Sequence, residues 1–257
     1  MTGRVRAPRS AALLTLFCVG ASTALSGCGG GGGDDPDAGT NGVGKLSAAK
    51  IERKAKTAAG RAKAVRVSGN VVSKGETYRL KMRLKDSGGI GEVSAEGGST
   101  FQLLRTGRDL YLKAGTDFWA RQEGGKKPGK SDIAAAAKLK GKYVKVPEQD
   151  PAYKQLSVFT DMDTLLDGLL AMQGKRETGE RTTVAGTRTI RITAGKGRGG
   201  TMDVSLEDTP FPLRLRRAGG AGTVRLSDWN DSFTLHAPKK EETVDYGKKI
   251  SPERQGG

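Results

Sequence analysis

Between Tyr78 and Lys85 apolar and basic residues alternate without a break. Tyr78, Leu80, Met82 and Leu84 stand against Arg79, Lys81, Arg83 and Lys85. Side chains of an extended strand point to opposite faces in turn, so this segment has one apolar face and one wet, basic face. Such a strand belongs to an antiparallel sheet covered on one side only. Its apolar side must be buried against a second layer.

The neighbouring sequence supplies more strands of this kind. Val65, Val67, Val71 and Val72 predict a strand before it, turning near Lys74-Gly75. Residues 85–89 read as a turn and 90–95 as a short strand. Residues 101–105 and 110–114 make a hairpin around Thr106-Gly107-Arg108, and Phe118-Trp119-Ala120 begins a further segment. This run is a meander of five or six strands. Tyr143-Val144-Lys145-Val146 is a strand that Pro147 ends. Strands resume over 183–193, then at Met202, Val204 and Leu206, at Phe211, Leu213 and Leu215, at Val224 and Leu226, and at Phe233 and Leu235. Gly195–Gly200 is a hairpin loop, because no helix follows it.

Two helices stand out. In 46–59, Ala48, Ile51, Ala55 and Ala58 fall at helical spacing, Ser47 is a plausible N-cap and Gly60 a stop. This stripe is thin and mostly alanine, so the helix lies on a sheet. Lys50, Arg53, Lys54 and Lys56 could face acidic headgroups or simply be solvated. In 160–172, Met162, Leu165, Leu166, Leu169 and Leu170 form a broad apolar face. Thr160 with Asp163 gives a capping-box pattern.

The N-terminus carries a different signal. Arg4, Arg6 and Arg9 precede an apolar run over 11–19, followed by small residues and then Leu25-Ser26-Gly27-Cys28. Charge, apolar core and small residues in that order form an export pattern. The run is too short to span a bilayer. The tetrapeptide resembles the lipobox of bacterial lipoproteins. The resemblance implies a signal peptide over 1–27 and a diacylglycerol thioether on Cys28. A secretory signal with a chance cysteine is the alternative. Residues 29–44 hold eight glycines and three aspartates and no large apolar residue. They are expected to be a flexible tether within a 28–44 linker.

Removal of the leader takes the formal charge from +16 to +13, which suits anionic headgroups or envelope polymers. Export, few aromatics and dispersed basic residues argue against nucleic acid as the partner. Cys18 leaves with the leader, so no disulfide within the chain is expected. A monomer is expected.

Catalytic chemistry is sparse. The chain has one histidine, His236, with no histidine pair or Cys/His cluster, so no metal site, cofactor or enzymatic activity is expected. Gly124–Ser131 matches the phosphate-loop expression G-x-x-x-x-G-K-[ST]. The strands before it read as antiparallel, whereas a phosphate loop follows a buried parallel strand. A basic surface loop with Ser131 capping a short helix is the plainer reading.

Residues 101–113, Phe118-Trp119, 141–147, Val184-Ala185-Gly186 and Pro210-Phe211-Pro212-Leu213 together resemble the LppX/LprG-type lipoproteins of actinobacteria, within the wider LolA/LolB-like group. The resemblance spans about 45–236 and implies an α+β fold. That fold is a curved antiparallel β-sheet, or half-barrel, whose concave face is covered by helices. The resemblance further implies an apolar cavity for the acyl chains of lipids or lipoglycans, used in carriage across or sensing within the cell envelope. The protein would be anchored through Cys28 on the extracytoplasmic face of the cell membrane. Combined with the alternation, it nominates Tyr78, Leu80, Met82, Leu84, Phe101, Leu103, Leu165, Leu169, Met202, Val204 and Leu206 as cavity residues. The domain is expected over 45–238, with a charged tail over 239–257. The alternative is a non-carrier lipoprotein with a filled core, whose basic exterior binds anionic polymers or a protein partner.

Overall fold

The computed structural model describes residues 35–73, 75–121 and 129–244. The chain divides at Pro36 into two units, and the second, Asp37–Gly257, holds every element described below. Cys28, the lipobox and residues 124–128 of the phosphate-loop look-alike lie outside the described residues.

Among the described residues twelve strands form one sheet. They are β1 (Ala64–Ser73), β2 (Glu76–Lys85), β3 (Gly88–Ala95), β4 (Thr100–Thr106), β5 (Asp109–Ala114), β6 (Tyr143–Val146), β7 (Arg176–Val184), β8 (Thr187–Ala194), β9 (Thr201–Ser205), β10 (Pro212–Arg216), β11 (Thr223–Ser227) and β12 (Thr243–Val244). Their order across the sheet is β12-β6-β5-β4-β3-β2-β1-β11-β10-β9-β8-β7. Every pairing is antiparallel except that of β12 with β6. Two meanders, β1–β6 and β7–β11, are therefore joined where β1 pairs with β11.

The alternation of the sequence extends across this join. One row of Cα partners runs Ile192, Met202, Leu215, Val224, Gly69, Leu80, Val93, Phe101 and Ala114. It is apolar throughout apart from the glycine. The next row runs Arg191, Asp203, Arg214, Arg225, Ser68, Lys81, Glu92, Gln102 and Lys113, and it is polar throughout. The sheet thus has a buried face and a charged face. It remains open, with β7 and β12 at its two edges. This is the α+β half-barrel architecture.

Among the described residues five α-helices accompany it: α1 (Ala48–Gly60), α2 (Thr116–Arg121), α3 (Lys130–Leu139), α4 (Pro151–Ser157) and α5 (Met162–Leu170). Their buried residues join the core formed by the apolar face of the sheet. Much of what they bring is alanine: Ala48, Ala55 and Ala59 from α1, Ala120 from α2, Ala136 from α3 and Ala152 from α4. Only α5 contributes a full aliphatic stripe.

Several sequence expectations change here. The packed domain begins at Asp37 rather than 45. Asp37 pairs with Arg181 at 2.5 Å, Arg188 donates to the carbonyls of Ala38 and Gly39, and the Asn41 amide donates to Leu206 O at 2.8 Å. Polar side chains and backbone groups do most of the work expected of apolar residues, and Val43 adds one buried side chain to the core. Phe118 and Trp119 lie in α2, not in a strand, with Phe118 packing on Phe101 at 5.5 Å. Residues 183–193 are two strands, because Ala185 (φ 52°) and Gly186 turn the chain. Phe233 and Leu235 form no strand; the segment from Ser227 to β12 runs from the middle of the sheet to its far edge. Lys85 donates to Phe233 O at 3.0 Å, and Arg83 lies 4.4 Å over the Phe233 ring. The tail expected from 239 instead forms a 3-10 turn and β12 before the description ends. Asp161 rather than Thr160 caps α5, accepting from the Thr164 amide at 2.9 Å. Gly129 rather than Ser131 caps α3, its amide donating to Asp132 at 2.8 Å. The strand before the look-alike, β5, is antiparallel to both of its neighbours.

Gly69 sits at the join with φ 142°, and a Cβ there would lie 2.2 Å from Thr223 O. Gly69→Ala should therefore cost at least about 2 kcal/mol, combining backbone strain with displacement of β11. Urea denaturation measures it. A loss within about 0.5 kcal/mol would mean that the join tolerates a side chain.

Candidate functional site

The apolar face and its helical cover bring the nominated residues together. Leu80, Met82, Leu84, Leu103, Met202 and Val204 are fully buried, and Phe101, Leu165, Leu169 and Leu206 nearly so. All ten belong to one hydrophobic cluster. Tyr78 is half-buried at its margin, packing on Phe159 at 5.9 Å. Its hydroxyl donates to Glu76 at 2.5 Å, and that bond, ahead of burial, raises its pKa. The same face includes Leu110, Leu112, Val144, Ile190, Ile192, Leu215, Val224 and Leu226, together with Ile51 from α1. The alternation in β5, β8 and β11 was the signal for most of these. Which helix would cover them carried no local signal.

A few polar anchors hold the cover. Glu52 on α1 accepts from Arg176 of β7 at 2.6 Å and pairs with Lys56 at 2.9 Å. Arg105 of β4 donates to Thr160 O at 2.9 Å and to Asp161 at 3.0 Å, fixing the start of α5. Arg217 donates to Gly168 O at 2.6 Å. Between α1 and α5 lies a crevice of about 100 Å3 bounded by Ala59, Gly60, Leu166 and Leu170, with Lys56, Asp163 and Asp167 around it.

A larger groove, of about 880 Å3, runs along the outer side of α1. Lys50, Arg53, Lys54, Thr57 and Arg61 line one side of it, and Thr209, Pro210, Phe211 and Asn230 the other. Phe211 stacks on Trp229 at 4.6 Å with the rings nearly parallel, and Trp229 Nε1 donates to Pro212 O at 3.2 Å. Lys56 belongs to the Glu52 pair, so the basic face of α1 divides into one bonded lysine and a row turned to the groove. Helical spacing of 50, 54, 57 and 61 puts them on one stripe. Among the described residues, no cluster of three His, Cys, Asp or Glu has the arrangement of a metal site. His236 is exposed.

The anchors predict acid sensitivity. Burial pushes the Glu52 carboxyl up, but the bonds and charges of Arg176 and Lys56 outweigh it and leave the pKa below its ordinary value. Asp161 is lowered in the same way, burial being outweighed by the Thr164 and Arg105 contacts. Carboxylates with depressed folded pKa values stabilise fully above their unfolded pKa, about 4, and stop doing so as pH falls through the folded value. Wild type should melt progressively lower below about pH 4. Glu52→Gln should melt lower than wild type at pH 7, with the gap closing in acid. A gap that stays constant from pH 7 to 2.5 would sink this assignment.

No family model matches the chain, and no curated protein matches it. Among solved structures, the chain is similar to the Mycobacterium tuberculosis lipoprotein LppX at 13% identity, over 73% of this chain and 97% of that one, with a TM-score of 0.42. It is also similar to an uncharacterized conserved protein of Thermus thermophilus at 9% identity, over 77% of this chain and 98% of that one, with a TM-score of 0.35. LppX is of the type that the sequence resembles. At these scores the half-barrel assignment stands on the strand order itself.

Proposed function

We propose that this protein is a lipid-anchored lipoprotein of the extracytoplasmic membrane face, whose half-barrel takes up the acyl chains of lipids or lipoglycans between sheet and helices, for carriage or sensing. One observation carries the reading: an apolar face that crosses nine strands is covered by one aliphatic stripe, on α5, and otherwise by helices α1–α4, whose buried residues are mostly alanine. Alanine buries far less apolar area than leucine, so α1–α4 grip the sheet weakly for the area they hide. An acyl chain offers the same face about 0.8 kcal/mol per buried methylene. A guest of that kind competes well with a cover of this kind. Tyr78, Leu80, Met82, Leu84, Phe101, Leu103, Leu165, Leu169, Met202, Val204 and Leu206 are the proposed contacts, and no catalytic step is assigned.

In this reading residues 1–27 are removed, Cys28 carries the anchor, and the linker is shorter than the sequence suggests. Only nine peptide steps separate Cys28 from Asp37, about 30 Å when fully extended. No helix among the described residues is long and apolar enough to cross a membrane. The alternative, a filled core with a polymer-binding exterior, is favoured by the polar row, where Arg79, Lys81 and Arg225 stand exposed on the charged face.

Two experiments test the proposal. Cys28→Ser should leave the protein unprocessed or released from membranes; a mutant still processed and membrane-bound would remove the anchor. Native mass spectrometry of protein purified from its own membrane should find lipid on the wild type and much less on Met82→Gln and Leu169→Gln. A lipid-free wild type, with both variants destabilised by about 3 kcal/mol or more, is the behaviour of a close-packed core and would favour the alternative.

A further inference from the structure

The groove along α1 is not part of the apolar trough, and its chemistry differs. Lys50, Arg53, Lys54 and Arg61 are exposed along one side of it, and among the described residues no acid lines it. Among the described residues none of the four makes an ion pair. Some basic groups elsewhere are paired, Lys56 and Arg176 with Glu52, Arg191 and Arg214 with Asp203, and Arg66 with Asp228, whereas Arg79, Lys81 and Arg225 stand exposed on the charged face. Four unpaired cations in one stripe are a charge pattern seeking an anion from outside.

The opposite wall sets Pro210 and Phe211 between Thr209 and Asn230 and is held firm. Phe211 is clamped by its stack on Trp229, and its carbonyl accepts from the Ser205 amide at 2.9 Å. Asn230 is fixed by accepting from the Lys63 amide at 2.7 Å and donating its own amide to Ala64 O at 2.9 Å. Cations on one wall and an aromatic on the other match the border between phosphate and acyl chain in a phospholipid leaflet, where basic residues and aromatic rings concentrate.

Position adds a separate argument. The chain enters the domain at Asp37, against Arg181, and passes beside this groove four residues later. Asn41 Nδ2 donates to the carbonyls of Ser205 and Asp208 at 3.1 Å each, and Asp208 immediately precedes the groove residues Thr209 and Pro210. A linker of about 30 Å or less ending at Asp37, four residues before Asn41, keeps this side of the domain within reach of the membrane.

We propose that the α1 groove is a docking surface for an anionic phospholipid bilayer, the leaflet phosphates lying along Lys50, Arg53, Lys54 and Arg61 and the lipid border against Pro210 and Phe211. The orientation argument rests on the anchored reading above; the charge argument does not. The test uses the full chain carrying Cys28→Ser, so that no thioether anchor contributes. It is sedimented with vesicles of phosphatidylcholine alone or mixed equally with phosphatidylglycerol. Binding should require phosphatidylglycerol and weaken with salt. Lys50→Glu/Arg53→Glu/Lys54→Glu should weaken it about 100-fold, at about fivefold per basic residue lost. Arg79→Glu/Lys81→Glu/Arg225→Glu makes the same charge change on the opposite face and should weaken it less than about fivefold. Circular dichroism confirms that both triple variants fold. Equal losses in the two variants would mean attraction by net charge alone and would overturn the proposal. So would full competition by millimolar inorganic phosphate, which would make the groove a small-anion site. Lipid copurified with the wild type is read separately by mass spectrometry, so failure of the acyl-chain reading and failure of this one are distinguishable.

Discussion

The pairing of β1 with β11 is the contact on which the rest of the fold depends. Val67 lies opposite Leu226, partners separated by most of the domain's length. Without it there would be two meanders, each with an apolar face too wide for its own few helices to hide. With it, one apolar row crosses nine strands and a single set of helices can cover it. Closing so long a loop costs entropy before any contact rewards it. Local hairpins should therefore form first and the join late. Gly69 stands at the join because a neighbouring backbone occupies the space where a side chain would go.

The charged face has its own organisation. Asp203 is almost fully buried, yet it accepts from Arg191 at 2.8 Å and from Arg214 at 2.6 Å. One carboxylate thus ties β8, β9 and β10 together, and both of its oxygens are satisfied, as a buried charge requires. Further along, the segment after β11 lays Phe233 under Arg83 and Lys85 and ends as β12 against β6. The outer side is held by guanidinium and lysine contacts, while the inner side is held by apolar burial. The high positive charge of the chain is partly this structural use of arginine.

Period-two alternation made most strands and the buried set legible, because a half-buried strand writes its environment into every second residue. Met82 and Leu103 are evident that way. Helix α4 was legible in principle, since Asp150-Pro151 places a cap before a proline at the first helical position, and Asp150 does accept from the Ala152 amide. The seating of 37–44 was not legible. It depends on Arg181 and Arg188, some 140 residues away, and on backbone groups that every residue possesses. The strap over 228–242 was misread because Phe233 and Leu235 alternate like a strand, but one ring is taken by cations. The groove was half legible: the basic stripe of α1 is plain in the sequence, whereas its partner wall comes from loops near 210 and 230.

Helix α1 is where the two proposed activities meet. Its inner alanines cover the apolar face, and its outer cations line the groove. The two surfaces lie on opposite sides of one rigid element, so moving α1 to admit an acyl chain must also change the shape of the groove. Any difference in bilayer affinity between the two positions of α1 then becomes a difference in acyl-chain affinity on and off the bilayer, because coupling between two sites is reciprocal. The Glu52–Arg176 bond resists that movement, since it ties α1 to the edge strand β7 rather than to the centre of the sheet. A helix held by one strong lateral anchor and a row of small residues is suited to hinge about that anchor. On the proposed reading, the alanine content of α1 is what allows this part of the cover to yield.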